Sequence, residues 1–258
     1  MLRPRIIPCL LVSNGGLVKT VRFAAPKYVG DPINAVKIFN EKESDELIVL
    51  DIDATVRRAE PDYRRIANLA AECRMPLCYG GGIKTADQAK RIIGLGVEKV
   101  AVSAAAVENP ALIARISKEI GGQSVVVVVD VRKRDGIYEV WTHNGTQNTG
   151  KRLDQAAEEA ESLGAGELVV NSIDNDGMMQ GYDLELAKQV RELTSLPITL
   201  LGGAGSLDDI GRLIDACGVV GAAAGSLFVF KGAYRAVLIS YPNRDRKEEL
   251  MRRVAVRA

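Results

Sequence analysis

The strongest constraint on this chain is that it carries the same pattern twice. DELIVLDID (45–53) matches GELVVNSID (166–174), and MPLCYGGGIKTADQAKRIIGLGVEKVAVSAAA (75–106) matches LPITLLGGAGSLDDIGRLIDACGVVGAAAGSL (196–227). In each copy a short apolar run ends in glycines, an amphipathic stretch follows, and a second apolar run ends in small residues. A repeated supersecondary unit cannot bury its apolar face alone, so the copies must pack on each other.

The rest of the chain keeps the rhythm. Eight apolar runs occur at 5–12, 46–53, 76–82, 97–105, 124–131, 166–173, 197–203 and 219–226. Helical patterns lie between them, as in 61–73, 85–96, 152–164 and 206–218. Several begin at Asp, Ser or Thr and end at Gly, where capping chemistry favours those residues. Eight strand-then-helix units in about 250 residues predict a single (β/α)8 TIM barrel over 1–258, with half-barrels at about 1–120 and 121–240. A hairpin-like flap is expected at 132–150, where DG and NG turn pairs bracket the alternating IYEVWT. It carries Trp141 and His143. Residues 243–258 form a charged helix or a frayed tail.

Composition excludes several functions. A net charge of +1 gives no overall field toward nucleic acid or membranes. No apolar run nears the roughly 20 residues of a membrane span. The start, MLRPRIIPCLL, has no signal-peptide core, which predicts a cytoplasmic protein. The four cysteines, Cys9, Cys73, Cys78 and Cys217, have no CxxC spacing and are expected as buried small hydrophobes. With His143 the one histidine, neither a histidine metal cluster nor a Ser-His-Asp triad is expected, and no metal or cofactor is implied.

TIM-barrel chemistry sits at the C-terminal ends of the strands. The doubled glycines fall there. Gly80, Gly81 and Gly82 precede a strand ending Ser103-Ala104, and Gly202 and Gly203 precede one ending Gly225-Ser226. Glycine lets backbone N–H groups approach an oxyanion closely. Two such sets, one per half, suggest a ligand with a phosphate at each end; turn chemistry alone is the alternative. Polar residues at strand ends line the space between: Asp51, Asp53, Asp130, Asn171, Ser172, Asp174 and Asp176, with Gly177 beside the last. Asp130 ends the apolar VVVVVD and must be functional or paired. Its counterpart in the first half is Leu11. Asp174 and Asp176 in SIDNDG are either ligand contacts or loop caps. Lys19, after NGGLV, is a mobile charge for a phosphate or a solvated loop lysine. At the other strand ends, Arg5, Glu46, Lys99 and Glu167 are placed to meet as a salt-bridged plug.

These residues resemble the cyclase subunit of imidazole glycerol phosphate synthase over essentially the whole chain. RIIPCL, GDPINAVKIFNEKESDELIVLDI, YGGGI, AAVENP, SVVVVVDV, NTG, GAGELVVNSIDNDG, GYDLEL and LGGAG carry the similarity. The resemblance implies a lyase of histidine biosynthesis. Such a subunit binds a bisphosphorylated ribulosyl aminoimidazole carboxamide nucleotide, receives ammonia from a class I glutaminase partner and closes an imidazole ring. It implies that Arg5, Glu46, Lys99 and Glu167 gate an ammonia channel. It implies phosphate contacts at Gly81, Gly82, Ser103, Ala104, Gly202, Gly203, Gly225, Ser226 and Lys19, and substrate contacts at Asp51, Asn171, Asp176 and Gly177.

The family uses two acid–base aspartates, at the ends of the first and fifth strands. Asp130 matches the second, and Leu11 replaces the first. A leucine transfers no proton, and losing an essential acid–base group costs a factor of about 10² to 10⁴. Ser103-Ala104 also departs from the family's Asn-Thr pair. With SNGGLVKTVRF and GSLFVFKG, Leu11 resembles a divergent branch associated with surface-polysaccharide genes. There the glutaminase–barrel pair supplies ammonia to a sugar amidotransferase that converts an acetamido into an acetamidino group. The expectation is therefore an ammonia-channelling subunit with weak or absent cyclase activity, with the authentic histidine-pathway cyclase as the alternative.

Overall fold

The computed structural model describes residues 3–255; the first two residues, and residues 256–258 at the end of the charged tail, lie outside the described residues. Eight parallel strands close a barrel: β1 (Arg5–Ser13), β4 (Leu47–Asp51), β5 (Leu77–Gly80), β6 (Lys99–Val102), β7 (Val125–Arg134), β10 (Glu167–Ser172), β11 (Ile198–Leu201) and β12 (Gly221–Ala224). Each pairs with the next, β7 pairs with β10, and β12 returns to β1. This is the predicted (β/α)8 TIM barrel, and all eight predicted runs supply its strands.

Strand periodicity sorts the side chains. Alternate residues of one strand face the lumen and the others face the helices. The lumen face holds Ile7, Cys9, Ile48, Cys78, Ala101, Val126, Val128, Val169, Leu201 and Ala223, which form an inner apolar cluster. The intervening residues, such as Ile6, Leu10, Leu47, Val100 and Val127, join a larger core between sheet and helices.

The outer helices are α1 (Pro32–Glu41), α2 (Tyr63–Glu72), α3 (Ala86–Gly94), α5 (Ala111–Ile120), α6 (Leu153–Ser162), α7 (Leu184–Leu193) and α8 (Leu207–Cys217), with a short α4 (Ala104–Glu108) before α5. Their starts are chemically marked. Thr85 and Gln88 form a capping box on α3, Ser206 and Asp209 another on α8, and Asp31 caps α1 ahead of Pro32. None of the described helices is long and apolar enough to cross a membrane.

Two hairpins rise from the C-terminal end of the barrel. The expected flap is β8 (Ile137–Thr142) and β9 (Gln147–Arg152), which extends β7 in antiparallel fashion. The other, β2 (Gly16–Val21) and β3 (Ala24–Gly30), folds back on β1. NGG reads only as a turn in the sequence, yet Asn14 and Gly15 both adopt the left-handed conformation (φ 50° and 84°) that a tight hairpin turn requires.

The final unit lacks a long outer helix directly after β12. A short α9 (Ser226–Val229) leads into a small ribbon, β13 (Phe230–Lys231) and β14 (Ala236–Val237), and then to α10 (Arg244–Ala255). The charged tail is thus helical through Ala255. A cluster at the start of β1 fastens it. The Tyr241 hydroxyl donates to the Ile6 carbonyl (2.8 Å) and accepts from the Asp45 N–H (3.1 Å). The Asp45 carboxylate accepts from the Ile6 N–H (2.9 Å) and from Lys247 (3.0 Å). Tyr241 also packs on Phe228 and Phe39. Tyr241→Phe keeps the ring and removes the hydroxyl, so it should destabilise the fold by about 1–2 kcal/mol. A lowered denaturant midpoint with unchanged slope would show it; an unchanged midpoint would mean that the hydroxyl does not fasten the segment.

Candidate functional site

The N-terminal end of the barrel is closed by charge. Arg5 donates to Glu46 and, at 2.7 Å, to Glu167. Lys99 donates to Glu46 at 2.8 Å and to Glu167 at 2.9 Å. The four predicted residues therefore meet as one alternating ring. The two carboxylates are almost wholly buried, at 3% and 4% exposure. Burial pushes the Glu167 carboxyl up, but the Arg5 and Lys99 charges outweigh it and hold it below the ordinary carboxylate range. A fifth residue, missed in the sequence, joins them: the buried Thr199 hydroxyl donates to Glu167 at 2.6 Å.

Above this floor the lumen is apolar, formed by the inner cluster described above. Such a column favours a neutral solute over a charged one. Arg5 and Leu11 share one face of β1, six residues and about 20 Å apart, so this strand spans the lumen from floor to mouth.

The mouth holds a cavity of about 810 Å³, part of it open to solvent, lined by Leu11, Lys19, Thr20, Phe23, Asp130, Asn171, Asp176, Gly177, Gly202, Gly203, Gly225 and Ser226. Register places Asp130 opposite Asn171, just as Leu11 stands opposite Leu50 in the other half. The Asn171 amide donates to Asp130 at 3.0 Å and leaves its own carbonyl oxygen buried and unpaired. Burial raises the Asp130 carboxyl to about 7, against the Asn171 and Ser103 hydrogen bonds; the Asp176 charge adds to the rise. Near neutral pH this group exists in both protonation states. Burial raises Asp176 as well, while the Thr20 hydroxyl (2.6 Å) and Phe23 N–H (3.1 Å) oppose the rise. Those two bonds draw the β2–β3 hairpin over the mouth. Glycine is required at Gly203, where an added Cβ would lie 2.0 Å from the Gly181 carbonyl.

A second cavity, about 960 Å³ and also partly open, is lined by Gly81, Gly82, Ser103 and Ala104 together with Arg58, Lys84, His143 and Gln147. The two predicted glycine sets are thus at separate cavities of the same rim. Arg58 and Lys84 add positive charge that motif reading overlooked. His143 opens the turn at the tip of the β8–β9 flap and lies on this cavity's wall, 3.8 Å from Glu108.

Three expectations need correction. Lys19 is no mobile loop charge: it lies on β2, only 6% exposed, and donates to the Cys9 carbonyl at 2.6 Å. Burial lowers its pKa, with the neighbouring Cys9 and Asp176 opposing. It still lies against Gly225, where a Cβ would meet its Nζ at 2.4 Å. Asp51 lines neither cavity; its carboxylate accepts from the Asp53 and Ala54 N–H groups and organises the turn after β4. Asp53 binds Ser13 and Asn14 and pins the β1–β2 turn instead of lining the mouth. Asp174 also behaves as a loop cap, accepting from the Lys133 N–H at 3.1 Å. Of the four cysteines, all reduced, Cys9 and Cys78 are buried in the lumen and Cys73 and Cys217 are half-buried.

The protein is thus a closed (β/α)8 barrel with two glycine-lined cavities at its mouth and an ion-paired floor. The family model for a "Histidine biosynthesis protein" matches residues 5–235. The chain is 57% identical over 252 residues to a Leptospira borgpetersenii protein, covering 97% of this chain and 99% of that one. That relative carries the provisional name of imidazole glycerol phosphate synthase subunit HisF. A Vibrio vulnificus relative, provisionally named subunit hisF3, is 54% identical over 253 residues, 97% of each chain. The imidazole glycerol phosphate synthase subunit HisF of Exiguobacterium sibiricum is 42% identical over 228 residues, 88% of this chain and 91% of that one. The chain belongs to the HisF family.

The raised Asp130 carboxyl has a measurable consequence. Between about pH 4 and pH 7 the unfolded chain ionises this group while the folded chain keeps it protonated. Stability from this group is therefore full below about pH 4 and is lost as pH rises through 7. Asp130→Asn removes that slope. The variant should gain on the parent by about 2–4 kcal/mol between the two ends of the window. Denaturant unfolding across this range measures it, and parallel curves would place Asp130 in an ordinary solvated environment.

Proposed function

We propose that this chain is the ammonia-accepting, cyclase-type barrel subunit of an imidazole glycerol phosphate synthase. A class I glutaminase docks beneath the floor of Arg5, Glu46, Lys99 and Glu167, and ammonia passes up the lumen to a phosphorylated ligand at the mouth. The observation that carries this reading is the continuity of three parts: a charged closure, an apolar lumen and a cavity containing Asp130. Ammonia crosses the lumen as the neutral molecule, which that lining favours over ammonium. The ligand's phosphates rest on Gly202, Gly203, Gly225, Ser226 and Lys19 at one end and on Gly81, Gly82, Ser103 and Ala104 at the other. Asp130, poised near neutrality, exchanges a proton with the ligand as the ring closes; Asn171 orients it, and Asp176 and Gly177 border the same space.

Leu11 sets the rate. Across the mouth from Asp130 it offers no second acid or base, so ring closure proceeds with one proton-transfer group. The same residue favours a second reading, in which the barrel delivers ammonia to another acceptor, an acetamido sugar held by a sugar amidotransferase. Relatives above 50% identity include the numbered subunits hisF2 and hisF3, which fits a branch set apart from the unnumbered subunits. These relatives and the Exiguobacterium sibiricum subunit are nonetheless named for imidazole glycerol phosphate synthase, which supports the cyclase reading over sugar amidination.

One experiment separates the readings. The purified barrel is given ammonium salt and the ribulosyl aminoimidazole nucleotide, beside Leu11→Asp and Asp130→Asn. Slow ring closure is expected from the parent, none from Asp130→Asn, and a rise of about 10²-fold or more in Leu11→Asp. No ring closure by the parent or by Leu11→Asp would overturn the cyclase reading in favour of another acceptor.

A further inference from the structure

The two half-barrels build the floor differently. In the first half, register pairs Cys78 with Lys99, so a cation stands beside the carboxylate of Glu46. In the second half, the corresponding pair is Thr199 and Gly221. No cation occurs there. Gly221 instead leaves room for the Thr199 hydroxyl, since an added Cβ would lie 1.9 Å from that oxygen. Thr199, fully buried, then donates to Glu167 Oε1 at 2.6 Å and accepts weakly from Arg5 at 3.4 Å. Glu46 takes donors from Arg5 and Lys99 alone among the described contacts, whereas Glu167 takes donors from Arg5, Lys99 and Thr199.

We propose that Thr199, seated in the space that Gly221 leaves open, is a positioning residue that fixes Glu167 as the immobile post of the floor. The floor is then asymmetric: one carboxylate is anchored to the barrel wall by a neutral hydroxyl, and the other is held only by the two mobile cations. Arg5 and Lys99 can swing away from Glu46 while Glu167 stays in place. The neutral donor matters because it holds Oε1 without adding a third cation, so the floor keeps two positive and two negative charges. The proposal rests on the ammonia-passage reading for its functional consequence, and on geometry alone for the anchoring.

The test uses Thr199→Val, which is nearly isosteric but lacks the hydroxyl, and Thr199→Ser, which restores it; Thr199→Ala replaces the valine variant if that fails to fold. The first measurement is the titration of the Glu167 carboxyl by carbon NMR in the isolated chain. The charged and titratable groups facing it are Arg5 from β1, Glu46 before β4, Cys78 from β5 and Lys99 from β6. Loss of the hydroxyl should move the Glu167 midpoint upward, with the serine variant superimposing on the parent. The second is made with the glutaminase bound: the ratio of glutamine-supported to ammonium-supported turnover should fall about fivefold to tenfold in Thr199→Val and recover in Thr199→Ser. An unmoved titration in the valine or alanine variant overturns the anchoring. A moved titration with an unchanged ratio overturns its role in passage. Absence of any glutaminase complex instead defeats the proposed function, and the titration still decides on Thr199.

Discussion

Two carboxylates buried at the closed end of a barrel are costly, because each loses several kcal/mol of hydration that only matched partners offset. Glu46 and Glu167 therefore constrain everything around them. They demand Arg5 on β1 and Lys99 on β6 at the same end of the barrel, which in turn demands the strand registers observed. Apolar residues of similar volume would fill the floor at least as stably. A stability argument thus leaves the ring unexplained, whereas the proposed passage through the floor would use charges that water can resolvate. The apolar lumen above it fits that proposal, since a hydrated ion gains nothing by entering.

The mouth follows a different logic. Asp130 is charged only part of the time because burial opposes its ionisation more than Asn171 and Ser103 support it. Lys19 enters the same space from the β2–β3 hairpin, and burial lowers its pKa too. Burial thus moves the carboxyl up and the amine down, each toward its neutral form. The hairpin that brings Lys19 is held by Asp176, so one residue both lines the cavity and fastens its cover.

Much of this was legible in the chain. The eight strands show because buried parallel strands read as branched apolar runs, and because glycines punctuate them. The ring of four shows because two positive and two negative residues stand at the starts of four of the apolar runs. The failures share a cause. Asp51, Asp53 and Asp130 are all carboxylates near strand ends, and only the loop after β4 determines that the first two turn toward backbone N–H groups. Lys19 follows glycines, which suggest a loop, while the hairpin pairing that buries it is non-local. Thr199 is an ordinary strand former in sequence; its meaning appears only when register sets it against Gly221.

The repeat itself frames the question that Leu11 raised. Register pairs Leu11 with Leu50 in one half and Asp130 with Asn171 in the other, so the asymmetry extends to two layers of side chains rather than one. An aspartate at position 11 beside Leu50 would lack the amide donor that Asn171 gives Asp130, and its carboxyl would be pushed further toward the protonated form. The floor is asymmetric in the same sense. The second half supplies Glu167 with a neutral hydroxyl where the first half supplies Lys99. Each half thus carries what the other lacks: the first contributes both cations of the floor, and the second contributes the polar pair of the mouth. A barrel divided in this way keeps its closure intact when a mouth residue changes, because no residue of the floor depends on Leu11.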